Sequence, residues 1–270
     1  MNTKKALGVL VVLIILGLII WKVAMPAAPA VAPVVDSSSS MTPPATSFAG
    51  ATLDANGDFV YKKETDYVAI DATYPSKTSL SAAADAKARL AIESSLKATI
   101  GSFDQDTSEN MLTPDEEQRL KANHLKYSLS ISYDEHASPG YVSYVFKIYE
   151  DTGGAHPNGF YSTLTFDMNG NMVELADLFK PGARYLDRLS TEAYKLVVAQ
   201  LKEKSGTTKL DDTQLETVRM GTEPSPEALQ FFYLDSGNLV LVFPPYQVAA
   251  YAAGSFEAKI PLASLKDILK

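Results

Sequence analysis

Three β-forming runs follow one another between residues 125 and 166 with only turn-formers between them, and no other stretch limits the fold as tightly. Residues 125–133 (LKYSLSISY) place Leu125, Tyr127, Leu129, Ile131 and Tyr133 on one face. Residues 141–149 (YVSYVFKIY) set Tyr141, Ser143, Val145, Lys147 and Tyr149 against Val142, Tyr144, Phe146 and Ile148. Successive side chains of a strand point to opposite faces, so each run presents one side to a core. Ser138-Pro139-Gly140 turns the first run into the second. The corner Gly153-Gly154-Ala155-His156-Pro157-Asn158-Gly159 turns the second into the third, residues 160–166 (FYSTLTF). Asn169-Gly170 is then a strong hairpin signal, with residues 172–175 as the return strand.

Helical periodicity flanks this block. Leu80, Ala84, Ala88, Ile92, Leu96 and Ile100 recur every fourth residue and share one helix face, with Gly101 placed to end the helix. Thr113-Pro114-Asp115-Glu116 reads as a capped helix start: Thr113 caps, Pro114 occupies the first turn, and Glu116 reaches back. Tyr185, Leu189, Ala193, Leu196, Val197 and Leu201 form a further inward stripe that ends near Ser205-Gly206. A polar stretch follows to Pro226, then strands at 229–234, 239–243 and 256–260. A strand at 67–74 ends at Pro75. Strands joined mostly as hairpins, with helices inserted, predict an α+β fold of mainly antiparallel sheets with helices packed on one side.

Residues 6–21 (ALGVLVVLIILGLIIW) are uncharged and apolar, with Lys4 and Lys5 before them and Lys22 after. Sixteen residues rise about 24 Å as a helix, a little less than a hydrocarbon core of about 30 Å. Val23, Ala24 and Met25 extend the run until Pro26 stops it, and Lys22 can snorkel. Residues 6–25 are therefore expected to anchor the chain in the cytoplasmic membrane in a single pass. The two lysines keep residues 1–5 inside and the remainder outside. A cleaved signal peptide, with Ala28-Pro29-Ala30 as its small-x-small site, is the alternative; it exports the same body. Residues 26–50, rich in Pro, Ala, Ser and Thr, are expected to be a disordered linker.

The sequence has 24 basic and 32 acidic side chains. Only Lys4, Lys5 and Lys22 precede Asp36, which leaves the exported part near −11. That balance excludes a nucleic-acid footprint, which needs clustered cations, and suits a cationic partner. The absence of cysteine removes disulfides, thiolate nucleophiles, thiolate metal sites and a bacterial lipoprotein anchor.

Four segments taken together have a familiar order. They are Gly153-Gly154-Ala155-His156-Pro157-Asn158; Thr165-Phe166-Asp167 with Asn169-Gly170; Leu175-Ala176-Asp177-Leu178-Phe179; and Phe243-Pro244-Pro245-Tyr246-Gln247-Val248-Ala249-Ala250-Tyr251. The chain resembles the envelope domain shared by RsiV-type and PdaC-type bacterial proteins. The resemblance implies a PdaC-like α+β domain over residues 51–152 and an RsiV-type C-terminal α+β domain of unknown function over 153–270. It departs at Ala250, where the family pattern has proline. RsiV-type members are anti-sigma factors that sense lysozyme, a role that needs a cytoplasmic sigma-binding domain. With five residues expected on the cytoplasmic side, that role is not expected. PdaC-type members are peptidoglycan deacetylases whose chemistry lies in a separate metal-binding domain, which residues 1–270 do not contain.

His124, His136 and His156 stand at no metal-like spacing, and no HxH, HExxH or Gly-x-Ser-x-Gly occurs. No metal, no cofactor and no catalytic residue are expected. His156 is read first as a turn residue that hydrogen-bonds a neighbouring carbonyl beside Pro157. With Asn158, Tyr246 and Tyr251 it forms the candidate binding groove. Tyrosines suit a glycan or a protein surface equally, and as half-buried edge residues they would instead hold a loop. The sequence thus points to a membrane-tethered, extracytoplasmic binding module without catalysis, recognising peptidoglycan or a basic protein such as lysozyme. The alternative is a peptidoglycan-active hydrolase or deacetylase centred on His156.

Overall fold

The computed structural model describes residues 48–108, 111–154 and 156–270. The expected anchor at residues 6–25, and the linker as far as residue 47, lie outside them. Among the described residues no helix is long and apolar enough to cross a membrane. The folded body takes in Phe48 rather than beginning at residue 51. Phe48 is buried edge-on against Tyr74 at 5.0 Å, and its amide donates to the Tyr74 hydroxyl.

The first sheet has six strands in sequence order: β1 (Thr52–Leu53), β2 (Phe59–Glu64), β3 (Val68–Tyr74), β4 (Tyr127–Ser138), β5 (Tyr141–Asp151) and β6 (Asn158–Asp167). Its pairings are antiparallel except β3 with β4, which run parallel. The sheet is therefore mainly antiparallel, as expected, but mixed through this one parallel join. A parallel pair needs a long crossover, and residues 75–126 supply it as α1 (Ala82–Asp106) and α2 (Pro114–Asn123). The sheet also runs on through β6, past the expected boundary at 152, because the Gly-rich corner folds β6 straight back onto β5.

The whole predicted stripe is buried, with Leu80 just before α1 and Ala84 to Ile100 within it. Each fully buried aliphatic side chain contributes about 1.5–3 kcal/mol, enough to hold this helix on the sheet. Gly101 does not end it. Phe103, the next residue of the stripe, is 3 % exposed, so burial carries the helix on to Asp106. α2 has the expected capping box between Thr113 and Glu116.

α1 is also fastened at its start. The buried Asp85 carboxylate accepts the Thr78 amide at 2.6 Å, the Thr78 hydroxyl at 2.9 Å and Arg89 Nε at 2.9 Å. Burial alone would push this carboxyl up, but the Thr78 hydrogen bonds and the Arg89 charge outweigh it and hold it below the usual aspartate range. A carboxyl lowered in the folded state stabilises above its unfolded value and loses that contribution as pH falls through the folded one. Thermal melts are expected to drop as pH falls below the usual aspartate range, about pH 4, and Asp85→Asn should remove part of that slope.

The second sheet is antiparallel: β7 (Phe232–Asp235), β8 (Asn238–Phe243) and β9 (Phe256–Pro261). One face meets the first sheet, where Val240, Val242 and Tyr233 pack on Val145. The other face, with Leu234, Leu239, Leu241, Phe243 and Ala258, packs on Leu189, Ala193, Val197 and Leu201 of α3 (Tyr185–Lys204). The order of layers is helix, sheet, sheet, helix. Each sheet has its helix on one side, as expected, but the two helical layers lie on opposite outer faces. α4 (Asp212–Gly221) falls in the stretch expected to be merely polar; its start is signalled by an Asp211-x-x-Gln214 capping box.

Where β7 to β9 do not reach, the outer face of the first sheet is open among the described residues. Asp71, Ser130, Ser132 and Tyr149 are all exposed there. The return strand expected at 172–175 is reduced to a single bridge between Phe166 and Met172, followed by a 3-10 turn at Leu175–Leu178.

Candidate functional site

Two chain segments about ninety residues apart meet beside that open face. The first is the corner after β5. Gly153 adopts a φ of +78°, and the Asp151 carboxylate accepts its amide at 2.8 Å. A Cβ on Gly153 would meet only the movable end of the Arg119 side chain, so the corner takes glycine for conformation.

The second is the loop from Pro244 to Gly254. The Gln247 amide donates to the Pro244 carbonyl at 3.2 Å, closing a four-residue turn with Tyr246 in its third position at a φ of +73°. That position normally takes glycine or asparagine, and a side chain there costs about 1–2 kcal/mol. The loop is held down on both sides of its exposed part. Gln247 Nε2 donates to the Gly221 and Ala228 carbonyls, each at 2.8 Å. Val248 and Ala249 are buried in the α3 core. Ala250, where the family pattern has proline, sits at φ −60° and ψ 151°, a backbone that proline itself adopts.

The four residues expected to form a groove separate into three that meet and one that does not join them. The His156 ring lies on the Tyr251 ring at 3.7 Å between centroids and 13° between planes. Its Nε2 is 2.8 Å from the Tyr246 hydroxyl and its Nδ1 is 3.1 Å from the Pro157 carbonyl. The Tyr251 hydroxyl donates to the same carbonyl at 2.8 Å. A carbonyl only accepts, so Nδ1 carries the proton in the neutral ring, and Nε2 accepts from Tyr246. His156 is thus the turn residue expected and also the centre of an aromatic cluster. Asn158 is exposed at the start of β6 opposite Glu150, and no hydrogen bond ties its side chain to the other three.

Beside the cluster, Lys147, Tyr149, Gly159, Tyr161, Pro245 and Ser255 line a groove of about 330 Å³ together with Tyr251. Tyr149 lies across Gly159 on the next strand; a Cβ there would come within 3.3 Å of the ring. Tyr161 donates to Ser255 Oγ at 2.9 Å. Sequence reasoning does not single out Lys147, Tyr149, Tyr161 or Gly159, although strand alternation already sets Lys147 and Tyr149 on the face away from Phe146 and Ile148. A larger hollow of about 460 Å³ lies on α2 by Pro114, Glu117, Gln118, Lys121 and Ala122. There the charges are spent on one another: Lys121 pairs with Glu117, which also accepts from Tyr67.

An α+β body with an aromatic cluster at the edge of an open sheet face is the class of protein these features define. The profile described as "Deacetylase PdaC" matches residues 61–159, and that described as "Protein of unknown function (DUF3298)" matches residues 176–263. The chain carries both domains, in the expected order. A DUF3298 family member from Bacteroides fragilis NCTC 9343 (BF2082) has the same fold. It aligns at a TM-score of 0.55 and 18 % identity, over 82 % of this chain and 94 % of that one. A DUF3298 protein from Pseudomonas aeruginosa PAO1 (PA4972) aligns at 0.52 and 19 % identity, over 79 % and 93 %. Esterase Rv3036c of Mycobacterium tuberculosis (strain ATCC 25618 / H37Rv) is 23 % identical over 149 residues, 53 % of this chain. The match spans 60 % of that esterase, less than two thirds of its length.

Proposed function

We propose that this protein is an envelope-associated binding module, anchored through residues 6–25 with its folded body outside the cytoplasmic membrane, that recognises the glycan of the cell wall through the groove beside His156, Tyr246 and Tyr251. The observation that carries this reading is the meeting of three aromatic rings from two segments beside a groove that Tyr251 lines, with Tyr246 held at a positive φ while 61 % exposed. A strained, exposed tyrosine is kept in place by its surroundings, which is typical of a functional position. Apolar ring faces with polar tips suit a sugar, whose own ring has an apolar face and a hydroxyl rim. The PdaC domain supports placement at the wall. An RsiV-type affinity for a basic lysozyme-like protein is the competing partner, supported by the acidic exported part.

A second reading, supported by the esterase relative, makes the chain a hydrolase or deacetylase centred on His156. Its best geometric support is the Tyr246 hydroxyl held on His156 Nε2. The same bond weakens it, because Nδ1 and Nε2 are both engaged and leave no free lone pair to take a proton from water or serine. Incubating the full chain in detergent with acetylated wall glycan and assaying released acetate and ester cleavage separates the two. A binding module gives no release above buffer, and His156→Ala lowers only affinity and melting temperature. Turnover that His156→Ala abolishes with the fold intact would reverse the choice.

A further inference from the structure

We propose that the binding site does not end at the groove but continues across the open face of the first sheet as a strip for an extended, uncharged polysaccharide, an inference that rests on the glycan reading above. Cross-strand register places Asp71 of β3, Ser130 of β4, Tyr149 of β5 and Gly159 of β6 directly side by side on one face. A second row runs parallel to it through Ser132, Lys147 and Tyr161. Strands lie about 4.8 Å apart, so the longer row crosses about 14 Å from β6 to β3 and leads straight out of the groove.

The chemistry of the two rows is that of a sugar chain rather than of a protein partner. Tyr149 is 51 % exposed and lies across the neighbouring strand because Gly159 leaves room for its ring. It offers an aromatic face at the mouth of the groove. Beyond it, Ser130 and Ser132 present exposed hydroxyls that both donate and accept, matching the hydroxyl rim of a sugar. The charges are matched among themselves: Lys62 pairs with Asp71 at 2.8 Å and Lys147 with Asp134 at 2.6 Å. A face so neutralised offers no steering to a basic or acidic partner. It also lacks the apolar centre that protein interfaces have.

The test is binding of the full chain in detergent to chitin oligosaccharides of two and of six sugar units, measured by titration calorimetry, for the wild type and for Ser130→Glu. Ser130 is exposed, so the substitution puts bulk and charge on the strip without touching a core. The wild type should bind the longer chain about tenfold more tightly than the shorter. Ser130→Glu should abolish that difference while leaving the affinity for the two-unit sugar unchanged. An unchanged length preference in Ser130→Glu would overturn the strip and leave the groove reading standing. Failure of the wild type to bind either sugar, or saturable binding of lysozyme that Ser130→Glu blocks, would overturn both.

Discussion

Gly221→Ala is expected to lower the melting temperature by about 6–12 °C, the equivalent of about 3 kcal/mol of overpacking in a domain of this size. Gly221 ends α4 directly under the loop that carries Tyr246. A Cβ there would stand 2.1 Å from the Gln247 carbonyl oxygen and 2.7 Å from a Val248 methyl. Neither neighbour can give way cheaply. Gln247 is tied by its side chain to Gly221 and Ala228, and Val248 is 1 % exposed. Moving the loop draws Tyr246 off His156, so glycan affinity should fall together with stability. Gly101→Ala is the control. Gly101 lies inside α1 without a positive φ, nothing stands within 4 Å of its Cβ position, and the same substitution should stabilise by about 0.5–1 kcal/mol.

Tyr251→Ala is expected to weaken glycan binding about thirtyfold, corresponding to about 2 kcal/mol, the scale of a buried aromatic anchor. Its ring supports His156 from below, and its hydroxyl shares the Pro157 carbonyl with His156. Losing it frees the imidazole and removes part of the groove's lining. The loop itself stays anchored through Gln247, Val248 and Ala249, so the melting temperature should change far less than in Gly221→Ala. Tyr251→Phe keeps the ring and loses only the hydroxyl, and should retain most of the affinity. Titration calorimetry on the three proteins checks the order.

The parts of this fold that depend on near neighbours in the chain are legible in the amino-acid sequence. The every-fourth-residue stripe of α1, the Thr113–Glu116 cap, and the alternation of β4 and β5 are short-range patterns with direct physical causes. So is the pairing of His156 with a carbonyl next to it. What the residues alone do not disclose is long-range. The parallel join of β3 to β4 is decided by a crossover of two helices, one of which outruns its own glycine because Phe103 is buried. α4 is hidden by its polar composition, although its ten residues form a capped helix. The site divides in the same way. His156, Tyr246 and Tyr251 stand out as turn and loop aromatics. Tyr149 and Gly159 do not, because the value of each depends on the other, and only the β5–β6 register places them side by side.

Retention of the full chain on purified peptidoglycan sacculi, wild type against Tyr251→Ala, at low and at high salt, tests most directly whether the aromatic cluster is a recognition site for wall glycan. Saturable retention of the wild type that survives high salt, together with loss of the Tyr251→Ala protein to the supernatant, is the result expected of contacts made by ring faces and hydroxyls rather than by charge. Equal retention of the two proteins, or wild-type binding that disappears with salt, would contradict it.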